Sequence, residues 1–344
     1  MTEKPFDPAS AIYTPQQVAT YGVEAVKNAR DNKARGIGIG IAQIQDYFAP
    51  LMPGQVCAII GQTSHYKSGL LHLIEHQAAK QLTADGRDDE ILVHVSVEEC
   101  VEEQSFLEFA RESGEDAGSL ARGHVQDWDK LMLASIRVGV IPIYRIGDSL
   151  ARADDMPNLY MSNMIRAIQT LRDDVLDWHP KIAGLFFDYL QAFPIDPEIR
   201  STGGPRGDHR RLQVRDDVYR LRKAAAHFAC PVFIAVQAKQ NLEGAHPPAM
   251  LPGIYDGEES SSIAQRFDRI ITIWMPKMTN DIGDSLNVGS QNFLCADNQI
   301  VIKVAKQRGG LPSGKMWLCG IDFKTNNIAP LDIVDLNEAL DGLV

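Results

Sequence analysis

The stretch Val56-Cys-Ala-Ile-Ile-Gly61-Gln-Thr-Ser-His-Tyr66-Lys67-Ser68 decides how the rest of the chain is read. Its apolar run Val56–Ile60 makes a short buried strand, Gly61 opens a turn, and Leu70–Gln81 continues as a helix. A strand that passes through such a loop into a helix N-terminus aims backbone N–H groups at one point, where an anion is favoured. In loops of this kind the lysine meets the β- and γ-phosphates of a nucleotide, and the next hydroxyl binds Mg²⁺. Gly61, Gln62, Thr63, Ser64, His65, Tyr66, Lys67 and Ser68 are therefore the candidate nucleotide-binding residues. Tyr66 breaks the pattern, because the motif has glycine immediately before the lysine. A side chain there is expected to crowd the phosphates or to force a costly backbone angle. On that expectation, Tyr66→Gly tightens nucleotide binding. The alternative is an ordinary strand–loop–helix corner.

Outward from this corner the chain keeps alternating. Strands are predicted at Ile91–Val97, Ile141–Ile146, Ile182–Phe187, Val232–Val236, Ile270–Trp274, Ile300–Lys306 and Met316–Asp322. Helices are predicted at Val101–Arg111, over most of 113–135, at Asn158–Trp178 and at Val214–Phe228. Ile182–Phe187 is apolar almost throughout, as strands covered on both faces are. The alternation gives an α/β fold, a mainly parallel sheet with helices on both faces. The last strands have no helices between them, so they form an antiparallel edge. Near the start, Thr14 can cap a helix, Pro15 suits its first position, Gln17 closes a capping box and Tyr13 staples onto Val18. That helix runs to about Asn32. It is too small to make a core alone, so it packs on its own domain or on a neighbouring copy. The organisation is a lead and helical arm over 1–35, an α/β domain over 36–329, and an acidic tail over 330–344.

Composition narrows the function. Apolar residues are 44% and charged residues 23% of the 344, which excludes wholesale disorder. No apolar run approaches the ~18 residues that span a bilayer, and the start lacks a signal layout. The five cysteines are scattered singly and form neither a disulfide framework nor a paired metal site, which fits a reducing, cytoplasmic setting. The nine histidines are scattered along the chain and are not read as a metal site. A net charge of −11 argues against non-specific coating of nucleic acid but leaves room for a local basic groove. Arg200, Arg206, His209, Arg210 and Arg211 crowd a Gly-containing loop after the 182–187 strand. With no aromatic among them, they suit backbone phosphates rather than stacked bases. A solvated loop is the alternative there. The segment Lys239–Asp256 is a weaker second loop, being nearly neutral.

Two carboxylates stand at strand ends. Asp188, in Phe186-Phe187-Asp188-Tyr189-Leu190-Gln191, lies where ligands bind in open α/β sheets and can hold Mg²⁺ through water opposite Ser68; it can equally cap the following turn. Glu98, in Ser96-Val97-Glu98-Glu99, can orient the water that attacks a γ-phosphate, or simply open an acidic helix.

Taken in order, these motifs resemble the RecA-like motor domain of DnaB-type replicative helicases, from about Gly36 to Asn327. The residues that carry the resemblance are Lys67-Ser68, Ser96-Val97-Glu98, Gly123-His-Val-Gln-Asp127-Trp128, Asp188-Tyr-Leu-Gln191, Val236-Gln237, Glu259-Ser-Ser-Ser-Ile-Ala-Gln265 and Lys306-Gln-Arg308-Gly309. The resemblance implies a RecA-like P-loop NTPase core that uses ATP and Mg²⁺. Lys67 and Ser68 would hold phosphates and metal, Asp188 would support the metal, and Glu98 would be the catalytic base. Gln237 would sense the γ-phosphate, while Lys306 and Arg308 would reach the site from a neighbouring subunit, Arg308 as an arginine finger. It further implies a homo-oligomeric ring, expected to be a hexamer, translocating on single-stranded DNA, with a loader or primase as further partners. The globular N-terminal domain of the family is expected to be absent, with only the helical arm in its place, so coordination with priming is not assumed. A RecA/KaiC-type regulatory or loading ATPase and a non-enzymatic ring scaffold are the competing expectations.

Overall fold

Alternate residues of a strand face opposite sides, so a strand apolar throughout needs cover on both. The run Val56–Gly61 forms β1, buried at every position. Cys57 and Ile59 pack with Leu70, Leu71 and Ile74 of α2 (Lys67–Ala84). Val56, Ala58 and Ile60 pack on the other side with Val214, Val218 and Leu221 of α7 (Arg206–His227).

In a computed structural model, the described residues are 13–30, 36–150, 159–197, 206–239, 250–257, 262–288 and 291–331. The remaining strands are β2 (Glu90–Ser96), β3 (Ile143–Ile146), β4 (Lys181–Asp188), β5 (Val232–Gln237), β6 (Arg269–Trp274), β7 (Ser285–Val288), β8 (Gln291–Leu294), β9 (Gln299–Gln307), β10 (Met316–Asp322) and β11 (Asn327–Pro330). The main sheet has the order β11-β10-β9-β6-β1-β5-β4-β2-β3. From β6 to β3 neighbours run parallel, and β9, β10 and β11 add an antiparallel edge. The expected fold class is the observed one. No described helix is long and apolar enough to cross a membrane.

The parallel register sets the strand ends side by side. Gly61 pairs with Gln237, and Ser96 with Asp188. Four residues far apart in sequence therefore share one edge of the sheet.

Several expected elements shift. The 113–135 helix is two pieces, α4 (Ala117–Ala121) and α5 (Trp128–Val138). Asp116 and Asp127 cap them by accepting from Ser119 N at 2.8 Å and Lys130 N at 3.0 Å, and Gly123 takes a positive φ between them. Each is preceded by α3 (Val101–Ser113) and followed by α6 (Met161–Thr170), which ends in a π-helical turn at Leu171–Val175 instead of running to Trp178. α7 starts at Arg206, which turns most of the expected basic loop into helix. The four-residue strands β7, β8 and β11 were not expected, and Pro330, assigned to the tail, lies on the edge strand, where its missing N–H is tolerated. The tail from 332 lies outside the described residues.

The chain divides into units Met1–Gly36 and Ile37–Val344. In the first, α1 (Pro15–Arg30) opens on the expected box: Gln17 N donates to Thr14 Oγ1 at 3.2 Å, and Thr14 N to Gln17 Oε1 at 2.9 Å. Tyr13 packs edge-on against Tyr21 rather than stapling onto Val18. Val18, Val23 and Val26 are exposed.

On α7 the buried Asp217 accepts from Gln213 Nε2 at 2.7 Å. Burial nevertheless pushes its carboxyl up to about 7. A carboxyl raised on folding binds its proton better in the native state, so it costs stability as pH climbs from the unfolded value of about 3.9 to about 7. Asp217→Asn should raise stability at pH 8 by up to about 4 kcal/mol and have little effect near pH 4, as urea unfolding at the two pH values would measure.

Candidate nucleotide-binding site

The loop between β1 and α2 carries two left-handed non-glycine residues, Ser64 (φ 64°) and Tyr66 (φ 68°). The costly backbone angle expected of Tyr66 is there, roughly 1–2 kcal/mol for an L-residue. The expected crowding is not. The Tyr66 ring lies over the bare Cα of Gly69 and meets Phe323 edge-on, ring centres 5.6 Å apart. Its hydroxyl donates to Asn326 Oδ1 at 2.5 Å. Beside it, His65 is buried and accepts from Met275 N at 2.9 Å through Nδ1. Burial, and then the Lys67 charge, push His65 down to about 4, so it stays neutral as that hydrogen bond requires.

Lys67 is buried at the head of α2. Its ammonium donates to Gln62 O at 2.7 Å and to Gln237 Oε1 at 3.0 Å. Gln237 Nε2 in turn donates to Thr63 Oγ1 at 2.9 Å, so one side chain at the end of β5 spans the loop. Burial pushes Lys67 down to about 8, against the pull of Asp188 and Glu98. The backbone of Gln237 is paired with Gln191, which accepts from its N–H at 2.9 Å and donates to its carbonyl at 3.3 Å. Sequence reasoning gave Gln191 no separate role, although it lies in the Asp188-Tyr-Leu-Gln191 motif.

Asp188 is 1% exposed, and neither carboxylate oxygen has a hydrogen-bond partner among the described residues. Burial pushes its carboxyl up, with Ser68 opposing. An orphaned buried carboxylate beside a hydroxyl offers the oxygen ligands that Mg²⁺ takes, so these residues fit the expected metal. Glu98 is exposed just past β2, and the adjoining turn is fixed by Ser96 Oγ, which accepts from Glu98 N at 3.3 Å and Glu99 N at 3.1 Å. Burial, and then Asp188 and Glu99, push Glu98 up while Lys67 opposes.

Lys306 and Arg308 are not brought to this edge. Gln307 pairs with Arg269, and Arg269 with Cys57, so both cations stand by the start of β1. Gly61 is four residues farther on, about 13 Å along the strand. Lys306 Nζ donates to the carbonyls of Ala264 and Phe267 at 2.5 and 2.8 Å, closing α8 (Ser262–Arg266). Arg308 pairs with Asp268 at 3.4 Å and donates to Gln265 O, with 44% of its side chain exposed.

Among the candidate DNA-binding residues, Arg200 lies outside the described residues, and Arg206 opens α7. Arg211 is exposed on α7. Arg210 is no loop cation: its guanidinium donates to Phe193 O at 2.9 Å and to Gln191 O. A chain of contacts thus runs from Arg210 through Gln191 and Gln237 to Lys67.

Behind the loop, the fold gathers histidines that sequence spacing kept apart. His72, Glu75 and His94 bring ligand atoms within 4.8 Å of one another, fully buried. The two imidazoles are stacked, 4.7 Å apart and 6° from parallel, so no point lies in the plane of both rings as a shared metal requires. Arg145 stands 3.7 Å from Glu75 instead. Burial alone would lower His72, but Glu75 and Glu99 outweigh it and push it up to about 9. The cluster is a charge network joining α2, β2 and the Glu98–Glu99 turn.

The family model of the DnaB-like helicase C-terminal domain matches residues 36–322. The chain belongs to this family. Two solved structures share the fold of this DnaB-like chain. One, described as the ATPase domain of G40P, superposes with a TM-score of 0.69 at 14% identity over 92% of this chain and 99% of that one. The other, a DnaB-like replicative helicase described with its interactions with primase, gives 0.68 at 14% identity over 93% of this chain and 68% of that one. No curated protein matches.

Asp188→Asn removes a buried charge that costs stability and would also remove the support for a metal. The variant should melt higher than the parent without ligand, and gain less from Mg²⁺ with an ATP analogue. Thermal unfolding with and without that pair checks both halves.

Proposed function

We propose that this DnaB-like domain binds ATP with Mg²⁺ on the loop Gly61–Ser68, hydrolyses it between copies of itself in a ring, and so translocates on single-stranded DNA. One observation carries the reading: Lys67, Gln237, Asp188 and Glu98 meet at one sheet edge, while Lys306 and Arg308 lie at the other. Phosphoryl transfer is catalysed by positioning and by charge placed where it develops. Lys67 leaves the Gln62 and Gln237 oxygens for the β/γ-phosphates. Gln237 is then free to follow the γ-phosphate, and its pairing with Gln191 passes that state toward Arg210 and α7. Glu98, exposed and raised toward neutrality, orients the attacking water. Ser68 and Asp188 would hold Mg²⁺, which when bound neutralises phosphate charge. Arg308, too far along the sheet to serve its own loop, completes a neighbour's site by exchanging Asp268 for phosphate.

Exposed apolar side chains on α1 and on α5, where Trp128, Met132 and Ile136 follow one helical stripe, supply surface for contact between copies. A hexamer is the expected ring, with a loader or primase as further partners. ATP turnover with and without single-stranded DNA, on protein of measured oligomeric state, tests the whole. DNA-stimulated turnover with strand displacement supports the helicase, turnover without displacement supports a regulatory or loading ATPase, and no turnover leaves a nucleotide-binding scaffold.

Lys67→Ala and Arg308→Ala should each lose about 10³-fold or more in turnover. Doubly tagged rings containing both variants should regain part of it, because an intact loop then faces an intact finger. Full activity of Arg308→Ala alone would refute the finger.

Replacing Arg206 and Arg211 with Ala should weaken single-stranded DNA binding alike for all sequences. It should also flatten the log–log salt dependence by about 0.7 per lost phosphate contact. An unchanged slope in a binding titration across salt concentrations would place both in solvent.

A further inference from the structure

Tyr66 occupies the one position of the loop where a side chain is least expected, and the fold builds a receptacle for it. Its ring rests where Gly69 has no Cβ: a methyl there would sit 2.4 Å from Tyr66 Cε1. The hydroxyl bonds Asn326 Oδ1 at 2.5 Å, and the Nδ2 of the same amide donates to Gly69 O at 3.0 Å. Asn326 is 1% exposed and itself left-handed (φ 50°), so its side chain is fixed by the turn that carries it. That turn, between β10 and β11, is held from another side by Arg111 of α3, whose Nε donates to Thr325 O at 3.1 Å. Phe323 of the same turn meets the Tyr66 ring edge-on and holds the Lys277 ammonium 5.2 Å from its own ring centre. Burial keeps the phenol protonated as a donor, pushing it up to about 12.

We propose that Tyr66 is a positioning residue: its side chain, latched to Asn326, Phe323 and the bare Cα of Gly69, sets the left-handed turn that glycine supplies in other loops of this kind. The latch rests on the nucleotide reading of the loop. It replaces backbone freedom with a side-chain clamp, so the N–H groups leading into α2 are ordered before a phosphate arrives, and binding does not have to order them. Glycine at 66 would relieve the backbone angle and lose the clamp. The expected tightening by Tyr66→Gly is therefore reversed.

The test is titration of an ATP analogue into the full chain and its variants. One lost hydrogen bond or clamp of this kind corresponds to about threefold to tenfold in affinity. Tyr66→Gly and Asn326→Gly should each weaken binding by that factor, and the two together by little more. Gly69→Ala supplies a second arm, since its methyl displaces the ring: it should weaken binding in the parent and be harmless in Tyr66→Gly. Equal or tighter binding by Tyr66→Gly overturns the proposal, as does a Gly69→Ala effect that is the same in both backgrounds. If the parent binds no better than Lys67→Ala, the nucleotide reading fails, and the latch is judged by unfolding alone. Urea denaturation of Tyr66→Phe, Asn326→Gly and the double variant then decides it: coupled losses retain the latch, and additive losses overturn it.

Discussion

Cover on both faces of β1 is the constraint on which the rest of this structure depends. Its alternate residues enter two separate cores, one with α2 and one with α7. A strand covered on both sides belongs in the middle of a parallel sheet, flanked here by β5 and β6. Parallel neighbours end at the same edge, which is why Gly61 and Gln237 come together, and why Ser96 and Asp188 do so beside them. The gathering of these side chains at one edge is a consequence of packing in the interior.

Three charged groups at that edge are shifted from their ordinary values. Burial pushes Lys67 down and Asp188 up, and Glu98 is raised as well. Each shift marks a charge poorly compensated by its surroundings. The cation is met by neutral oxygens of Gln62 and Gln237, while the buried Asp188 carboxylate has only the Ser68 hydroxyl beside it among the described residues. On the proposed reading, a polyanion brought in with a divalent cation would reverse the first two shifts together.

Much of this was legible in the sequence, because continuous apolar runs declare buried strands and motif order declares their connection. Asp188 and Glu98 could be placed at strand ends, and Lys67 at the head of a helix, from those runs alone, whereas Gln237 came with the family resemblance. What escaped depended on contacts across long separations. Nothing near Tyr66 announces Asn326, and the ring that seemed to threaten the phosphates is accommodated by a turn at the far end of the chain. His72 and Glu75 are neighbours on a helix, but His94 joins them only because β2 passes behind it. The basic cluster at 206–211 has the composition of a loop. It is helical because Val214, Val218 and Leu221 anchor α7 on the sheet and Arg210 finds carbonyl partners at Phe193 and Gln191, just past β4. Four-residue strands such as β7 and β8 are too short for alternation to show.

The two ends of the sheet also bear on assembly. A guanidinium reaches several ångströms, whereas Arg308 must cover the length of β1, about 13 Å, before it could approach its own loop. Within one chain it is tied instead to Asp268, which also accepts from Val56 N and Arg222 at the start of β1. That arrangement spends a half-exposed arginine on a carboxylate already supplied with donors, so releasing Arg308 leaves Asp268 paired. An arginine free to leave at small cost, placed on the edge opposite the phosphate loop, is suited to a head-to-tail contact in which one copy's far edge meets the next copy's near edge. Contacts of that heterologous type close into rings when their rotation permits, and every interface in such a ring has the same composition. On the proposed reading, the same register that separates Arg308 from Lys67 within a chain is what makes catalysis a property of the assembly.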